Sequence, residues 1–506
     1  MGESRTKNTL LNITFSFIYQ ILSIILGFLN RTIFIYVLGV NYLGLSGLFK
    51  DVLTMLSLSD LGLNVALTYS MYEPLAKKDY RKLAALTNFY RQVYHIIAII
   101  FSLIGILLIP FLKYIINLKH PIPYTNIYYI LFLANTVSSY LVIYKTSILT
   151  SDQKDYVLKK YKSIFSFFQT AFMTLFLWLT HSYFIYLFIQ LIFTYAQNFY
   201  CSHVAVKLYP FIEKKIAISK KEIKVLLKNI YSVFIYKVSG VLLSATDNMI
   251  ISIMIGTSIV GIYSNYSMIL VEAQVVINTF FYSITASLGN LIVNSNEEER
   301  YKVFLTMQII SDIVSCICVS CFTFLLQDFI GLWLGRHFLI NKCAFGAVIL
   351  NFYLQVNLMP VWVYREATGL YQQTKYVMLL TAVINLFLSV ILAKSIGLAG
   401  ILFASAISRL LTYFWYEPII LFNSYFRYPS YNYFLIILRN IVVIFIVITV
   451  NWVLFKNFSS NNWMSFIIKA FLIGTSSLIL TILLYVRTEG FHFLLTRVKG
   501  IMFQRN

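Results

Sequence analysis

The sequence predicts an all-α polytopic membrane protein of about fourteen transmembrane helices, arranged as two six-helix parallel repeats and two additional C-terminal helices. Three observations lead to this prediction: the composition, the alternation of basic loops, and an internal repeat. Of the 506 residues, 59% are hydrophobic and only 12% are charged, and the mean hydropathy is +0.77. Soluble proteins carry roughly 25% charged residues. The apolar surface of this chain is therefore expected to face a bilayer.

Apolar runs bounded by charged or turn residues define the individual spans, because a helix needs about 20 apolar residues to cross a bilayer. The longest polar stretch, 207–228, is too short for a soluble domain. In chain order, the fourteen predicted spans are 10–38, 44–72, 92–112, 127–149, 161–180, 182–206, 230–255, 259–293, 303–326, 344–365, 376–393, 398–422, 433–455 and 463–486.

Basic residues alternate from loop to loop and predict the orientation. With the N-terminus inside, 26 of the 40 basic residues lie in cytoplasmic segments and six lie in outside segments. Cytoplasmic loops of membrane proteins carry an excess of Lys and Arg. Both termini are therefore predicted to be cytoplasmic in a bacterial cytoplasmic membrane, with no cleavable signal peptide. The net charge of +21 is assigned to these loops and not to nucleic-acid binding.

The repeat appears when the chain is shifted by 217 residues. Ten of 35 positions are identical between 10–44 and 227–261, including Gly39 with Gly256 and Gly44 with Gly261. At an offset of 220, Lys145 aligns with Arg365. Six spans per copy keep both copies in one orientation, so a substrate site is expected between the halves.

This repeat also predicts the domain organisation. Each segment follows from the span count and the charge pattern. The predicted segments are an N-lobe (1–206), a cytoplasmic linker with an amphipathic helix (207–228), a C-lobe (229–422), two further spans (433–486) and a cytoplasmic tail (487–506).

Six basic residues within the spans are the candidate binding residues. Each costs about 2.5–3.5 kcal/mol at a helix centre, so such side chains normally face a protein interior. Arginine grips phosphate bidentately and lysine supplies a point charge. The sequence leaves open whether some of them snorkel or pair locally, as Lys50 could with Asp51 and Arg365 with Glu366. The candidates for binding an anionic diphosphate are Arg31, Lys50, Lys145, Lys237, Arg365 and Arg409.

Acids and prolines within the spans suggest further roles. Asp60, Asp247 and Glu272 are candidates for coupling to a proton or sodium ion, with a structural ion pair as the alternative; Asp312 is assigned to an ion pair. Pro360 and Pro418 are candidate hinges, and packing kinks without motion are the alternative. Cys316, Cys318 and Cys321 are read as packing residues, and no metal site is predicted.

Several strings in the two repeat copies resemble one family. The first copy reads Arg31 to Gly39, Gly44, then Ser59-Asp60-Leu61-Gly62-Leu63, and the second reads Thr246 to Ser252, Gly256, then Val260-Gly261-Ile262-Tyr263-Ser264. With two six-span halves and an additional helix pair, the chain resembles the Wzx-type polysaccharide flippases. These belong to the superfamily of the MATE drug exporters and the lipid II flippases.

The resemblance implies transport of undecaprenyl-diphosphate-linked oligosaccharide repeat units for a capsule or exopolysaccharide, with spans 13 and 14 forming a groove for the lipid tail. It implies no enzyme activity and no cofactor; a Na⁺ or H⁺ gradient or the membrane potential is the expected energy source. The implied partners are the lipid-linked oligosaccharide, membrane lipids, and a polysaccharide polymerase with its assembly proteins.

Three alternative functions stay open at this point. A lipid II flippase has nearly the same chemistry, whereas a MATE-type exporter of organic cations would favour an acidic or neutral cavity. A membrane glycosyltransferase or polysaccharide polymerase usually needs a loop that carries acids for metal and sugar nucleotide, and no Asp-x-Asp stands in a loop of this chain.

Overall fold

The computed structural model of the chain describes residues 5–57, 63–219, 222–224, 226, 240–242, 245–283, 288, 296–368 and 370–503. Among these residues all regular structure is helical, so the predicted all-α class is confirmed. By Cα proximity the chain divides into two compact units, Met1–Gly261 and Ile262–Asn506. The predicted lobe and linker boundaries stay predictions.

The first unit is built from nine helices whose bounds the structure describes in full. They are α1 (Arg5–Leu38), α2 (Val40–Leu56), α3 (Leu63–Ala76), α4 (Tyr80–Leu107), α5 (Leu112–Ile115), α6 (Thr125–Tyr140), α7 (Ile143–Ser151), α8 (Asp155–Thr180) and α9 (Tyr183–Leu208). A 3₁₀ turn follows at Pro210–Glu213, and residues 240–242 and 245–254 are also helical.

The second unit continues with ten described helices, the first of which has its first five residues in the first unit. They are α10 (Thr257–Ser283), α11 (Glu297–Trp333), α12 (Lys342–Asn357), α13 (Met359–Thr368), α14 (Tyr371–Ile396), α15 (Leu398–Leu411), α16 (Tyr413–Leu421), α17 (Tyr431–Phe455), α18 (Trp463–Tyr485) and α19 (Glu489–Phe503).

These helices agree with a multi-pass membrane protein. Ten spans among the described residues are long and apolar enough to cross a membrane, and the α6–α7 pair, bent by 49°, makes an eleventh. Predicted span 2 corresponds to α2 and α3, between which residues 58–62 lie outside the described part. In predicted span 7, residues 230–239 and 243–244 lie outside it as well. The total of fourteen therefore stays a prediction.

Short polar side chains begin several of the long helices. A side-chain oxygen just before a helix accepts a hydrogen bond from one of the first backbone N–H groups, which have no partner within the helix. Here the capping residues are Asp79, Ser182, Asn296, Asn341 and Asn462. In the predicted linker, Ser219 and Glu222 form the reciprocal bonds of a capping box. The Ser219 hydroxyl also donates to Glu222 at 2.7 Å and lowers the pKa of that carboxyl.

Predicted spans 10 and 12 are also divided into two helices each. In span 10, helix α12 ends at Asn357 and helix α13 begins at Met359, just before Pro360. Because proline has no N–H, Pro360 cannot bond the carbonyl of Val356 four residues earlier; the Ser311 hydroxyl donates to that oxygen at 2.7 Å instead. Span 12 breaks at Thr412, six residues before Pro418. The breaks occur near the candidate hinges, whose motion stays a prediction.

Residues that are equivalent in the predicted repeat meet within the first unit. Gly39 and Gly256 both adopt positive φ angles, +82° and +143°, directly before a helix. Five residues after each of these glycines, α2 and the start of α10 touch: a Cβ on Gly44 would overlap the carbonyl of Thr257, and one on Gly261 would overlap the carbonyl of Val40. Gly44 and Gly261, which the predicted repeat aligns, therefore lie next to each other in the first unit.

Candidate functional site

Lys145 lines a polar cavity of about 270 Å³ in the first unit. It projects from α7, just after the bend that follows α6, and its ammonium lies 3.0 Å from Glu213 in the 3₁₀ turn after α9. Arg91 of α4 lines the same cavity, together with Asn88 and Thr87. Two cations and one partly exposed carboxylate therefore share this cavity, which leaves a net positive charge for an anion.

Arg31 and Lys50 occupy different surroundings in the same unit. Arg31 is half-buried on α1, next to Asn30, whose amide donates to the Tyr186 hydroxyl at 2.8 Å. Lys50 is exposed at the C-terminal part of α2, and its neighbour Asp51 accepts a hydrogen bond from Asn248. The recorded hydrogen-bond partner of Asp51 is therefore Asn248 and not the lysine expected from the sequence.

Arg365 is buried in the second unit and forms an ion pair. Its guanidinium lies 2.6 Å from Glu417 on α16, and both side chains are at most 5% exposed. The adjacent Glu366 is exposed and instead accepts a long hydrogen bond, 3.4 Å, from Tyr282. Since the buried pair carries no net charge, Arg365 has a local structural role whether or not it also meets a ligand.

Arg409 stands beside a second cavity. The guanidinium donates to the Asn351 side chain at 3.1 Å, and the amide of Asn351 donates in turn to two backbone carbonyls, which holds it in place. The cavity encloses about 200 Å³ between α10 and α12. Its polar lining consists of neutral groups, Tyr263, Ser267, Gln274, Asn278, Asn351 and Gln355. Amides and hydroxyls next to an arginine suit a ligand that is anionic at one end and polar but uncharged at the other.

The other predicted residues are placed as follows. Lys237 and Asp60 lie outside the described residues. Asp247 and Glu272 are half-buried in helices. Pro360 and Pro418 are buried. Within each unit the described cations do not form one cluster, because Lys145 faces Glu213 and Arg91 while Arg365 and Arg409 have separate partners.

Sequence reasoning missed two charged residues that the fold brings to these positions. Glu417 was not among the predicted intramembrane acids, although a single carboxylate in an apolar run is itself a signal. Arg91 was counted only as a basic loop residue. Nothing in the local sequence relates it to Lys145, which is 54 residues further along the chain.

Comparisons with known proteins agree with this architecture. A family model described as "Polysaccharide biosynthesis protein" matches residues 9–286, more than half of the chain. A comparison with curated proteins finds no match.

Solved structures with a similar fold include three transporters. A lipid II flippase, MurJ, in an inward closed conformation has a TM-score of 0.68 and 16% identity, over 94% of this chain and 99% of that one. An inward-facing MATE-family multidrug transporter has a TM-score of 0.60 and 12% identity, over 77% and 92%. A superfamily transporter from Pyrococcus furiosus, titled for the reverse polarity of its binding pocket, has a TM-score of 0.56 and 13% identity, over 83% and 95%. The predicted superfamily fold is confirmed.

Proposed function

Because the chain belongs to the polysaccharide biosynthesis protein family, we propose that it is a flippase for undecaprenyl-diphosphate-linked oligosaccharide repeat units. It would move these precursors of a capsule or exopolysaccharide from the cytoplasmic to the outer leaflet of a bacterial cytoplasmic membrane. The observation that carries the proposal is the family match together with a fold shared with a lipid II flippase over nearly the whole chain. Both point to a carrier and not to an enzyme.

The placement of the cations supports a diphosphate ligand. Lys145 and Arg91 line one polar cavity, and Arg409 borders another whose polar lining is neutral. A diphosphate linked to sugars has this combination of chemistry, with charge at one end and hydroxyl or amide groups at the other. We assign diphosphate contacts first to Arg31, Lys145 and Arg409. Lys50 and Lys237 stay candidates, and Arg365 follows them because Glu417 neutralises it.

Alternating access is the proposed mechanism, as the sequence repeat suggests. The broken spans 10 and 12 would serve as hinges near Pro360 and Pro418. The head group would be carried through the protein while the apolar polyprenyl tail stays in lipid along α17 and α18. A Na⁺ or H⁺ gradient or the membrane potential would drive the cycle, and a polymerase with its assembly proteins would receive the product.

Transport is tested with purified protein in liposomes that contain the lipid-linked oligosaccharide in both leaflets. An impermeant glycosidase is added outside, and the digested fraction is measured. With wild-type protein, digestion should proceed beyond the outer-leaflet fraction to nearly all of the substrate. The matched control is a folded Arg31→Ala/Arg409→Ala protein. In its liposomes the glycosidase should digest little more than the substrate of the outer leaflet. Wild-type activity in that double variant would remove the diphosphate mechanism.

The same liposomes separate the alternatives. Movement of lipid II but not of the oligosaccharide lipid would favour a peptidoglycan precursor flippase. Uptake of an organic cation without lipid movement would favour a MATE-type exporter.

Orientation is tested in cells: cysteines at Lys119 and Lys342 should react with an impermeant thiol reagent from outside, whereas one at Lys220 should not. The opposite labelling would contradict cytoplasmic termini.

A further inference from the structure

The second unit contains a buried group of oxygens around Asp312 that lack hydrogen-bond donors. Asp312 lies in the middle of α11 and is fully buried, as are Asn357 and Asn440, and Gln308 is 1% exposed. Gln308 and Asn357 donate their amide hydrogens to Asp312 Oδ1 at 3.0 and 3.2 Å. Asn440 donates to the Asp312 backbone carbonyl at 3.2 Å. The side-chain carbonyl oxygens of all three amides are buried without a partner, and so is Asp312 Oδ2.

Orphaned acceptors of this kind are costly. A buried polar atom without a partner costs about 1–3 kcal/mol, and most buried groups are satisfied for that reason. The hydroxyl groups of Tyr353 and Tyr433, two further buried side chains, also lack partners in the structure. An excess of acceptor oxygens around one carboxylate is the pattern that a cation would satisfy.

The break in span 10 adds to this pattern. Asn357 is the last residue of α12, where helix carbonyls run out of intrahelical donors and the helix dipole is negative. The Asn357 carbonyl receives only a 3.5 Å contact from Gln308. In membrane carriers, broken helices commonly provide such carbonyl ends as ligands for coupling ions. Here the broken end, the carboxylate and the amides meet in one place.

We propose that Asp312, Gln308 and Asn357 form a binding site for a monovalent cation of the size of Na⁺. Half a turn of each amide would exchange its N–H groups for its oxygen, since the two ends have nearly the same shape. The oxygens would then lie about 3.0 and 3.2 Å from Asp312 Oδ1. That is close to the spacing of neighbouring oxygens which each lie about 2.4 Å from one ion. A single carboxylate with neutral ligands favours a monovalent over a divalent ion, because divalent sites usually hold more carboxylates.

Arg439 provides the alternative counter-charge. Its guanidinium lies 3.9 Å from Asp312 Oδ2, too far for a hydrogen bond, and its side chain is 40% exposed. It borders a cavity of about 410 Å³ that Glu489 of α19 also lines. A cation at Asp312 would repel Arg439 toward that cavity. The site thus alternates between an internal ion pair and a bound ion.

The position of the site connects it to transport; this step rests on the proposed function. Asn357 ends α12, and Arg365 lies on α13, the helix that follows the break. An ion that binds Asn357 would set the angle at the joint between these helices and so the position of Arg365 and its partner Glu417. This provides a physical route by which a Na⁺ gradient could drive the carrier.

Ion binding is tested without any transport substrate, using Na⁺ alone. Thermal unfolding of the purified full-length protein in detergent is followed as NaCl replaces choline chloride at constant ionic strength. Wild-type protein should show a saturable rise in Tm with Na⁺, and Asp312→Asn should lose it. If Asp312→Asn does not fold, Gln308→Met, which keeps the Asp312–Arg439 pair, should raise the half-saturating Na⁺ concentration severalfold.

Two further variants distinguish a site from a structural network. Arg439→Gln removes the competing charge and should lower the half-saturating concentration by roughly tenfold, given the strength of charge interactions near 4 Å. Asp328→Asn, on the same helix and paired with Lys469 at 2.7 Å, should keep the wild-type Na⁺ response. An equal response to choline, loss of the response in Asp328→Asn, or dependence on pH alone would overturn the proposal.

Transport then forms a separate measurement. If Na⁺ stabilises the wild-type protein but the rate of lipid movement does not depend on Na⁺, the coupling role is wrong and the ion-binding site is still supported. If no lipid moves under any condition and the thermal response is still present, the proposed function is wrong and the site again stands.

Discussion

The two copies of the predicted repeat are alike at their paired glycines and differ in the surroundings of an aligned pair of charges. Gly39 and Gly256 have the same type of conformation, and Gly44 and Gly261 lie against each other's helices. By contrast, Lys145 and Arg365 align in the repeat but have unlike surroundings: one lines a polar cavity and the other is sealed in a buried ion pair. Backbone features are tied to residue type at one position, whereas the role of a charge depends on what the rest of the fold places beside it.

Lys145 and Arg365 differ because their carboxylate partners differ in burial. Glu213 belongs to a turn and is 56% exposed, so it screens Lys145 only weakly. Glu417 is 1% exposed within a broken span and meets Arg365 at 2.6 Å. Removing charges from water is expensive, and a buried pair is sensitive to the loss of either member. The comparison therefore predicts very different outcomes for equivalent substitutions.

The largest effect is expected from Glu417→Ala. It would remove the carboxylate that pairs with the buried Arg365 charge and should lower the free energy of unfolding by about 3–5 kcal/mol. Chemical denaturation of the purified protein in detergent measures it. The double variant Arg365→Met/Glu417→Leu is the control and should be close to wild type in stability, since it removes both charges. A stable Glu417→Ala protein would contradict the buried-pair interpretation.

The matched glycines should be about equally intolerant. Gly44→Ala and Gly261→Ala each insert a Cβ against a backbone carbonyl, which should cost about 1–3 kcal/mol. Gly346→Ala is the control, because it lies within α12 with no atom within 4 Å of its Cβ. It should be neutral or stabilising by about 0.5–1 kcal/mol. If only one of the two substitutions lowered the free energy of unfolding, the result would contradict the structural equivalence of these two glycines.

Substitution of Lys145 should affect lipid transport more than it affects the stability of the protein. Lys145→Ala removes a charge-assisted contact worth about 1.5–3 kcal/mol and should slow lipid movement roughly ten- to hundredfold in the glycosidase assay. Lys145→Arg should recover most of the rate because the charge is kept. Thermal unfolding should change little in either protein. Normal transport by Lys145→Ala would exclude this cavity from the diphosphate path.

The smallest effect, with the opposite sign, is expected from Glu213→Gln. Loss of an exposed pair should change stability by no more than about 1 kcal/mol. Because the carboxylate would compete with a diphosphate for Lys145, its removal should lower the KM for the lipid-linked substrate up to about fivefold at low salt. Titration of initial rates against substrate measures this. A raised KM would indicate that Glu213 positions Lys145 instead of competing for it.

The course of the chain through the membrane was largely predictable. Helices α1, α8, α9, α14, α17 and α18 coincide with predicted spans to within a few residues, apart from extended ends. Long apolar runs between charged loops leave little freedom, because a helix is the simplest way to satisfy backbone groups in lipid. The bend between α6 and α7 and the break at Thr412 were not predicted. Neither contains proline or glycine at the break, so the local sequence offered little signal.

The sequence predicts which charged residues are costly within a span, but it does not predict which partners they find. That Arg31, Lys145, Arg365 and Arg409 are costly in an apolar run follows from the sequence alone, since desolvation depends on the side chain and on the surrounding hydropathy. Which of them meets a carboxylate follows only from tertiary structure. Glu417 is 52 residues from Arg365 and Arg439 is 127 residues from Asp312. Pairing across such separations is decided by helix packing, because electrostatic energy depends on distance and burial in space and not on separation along the chain.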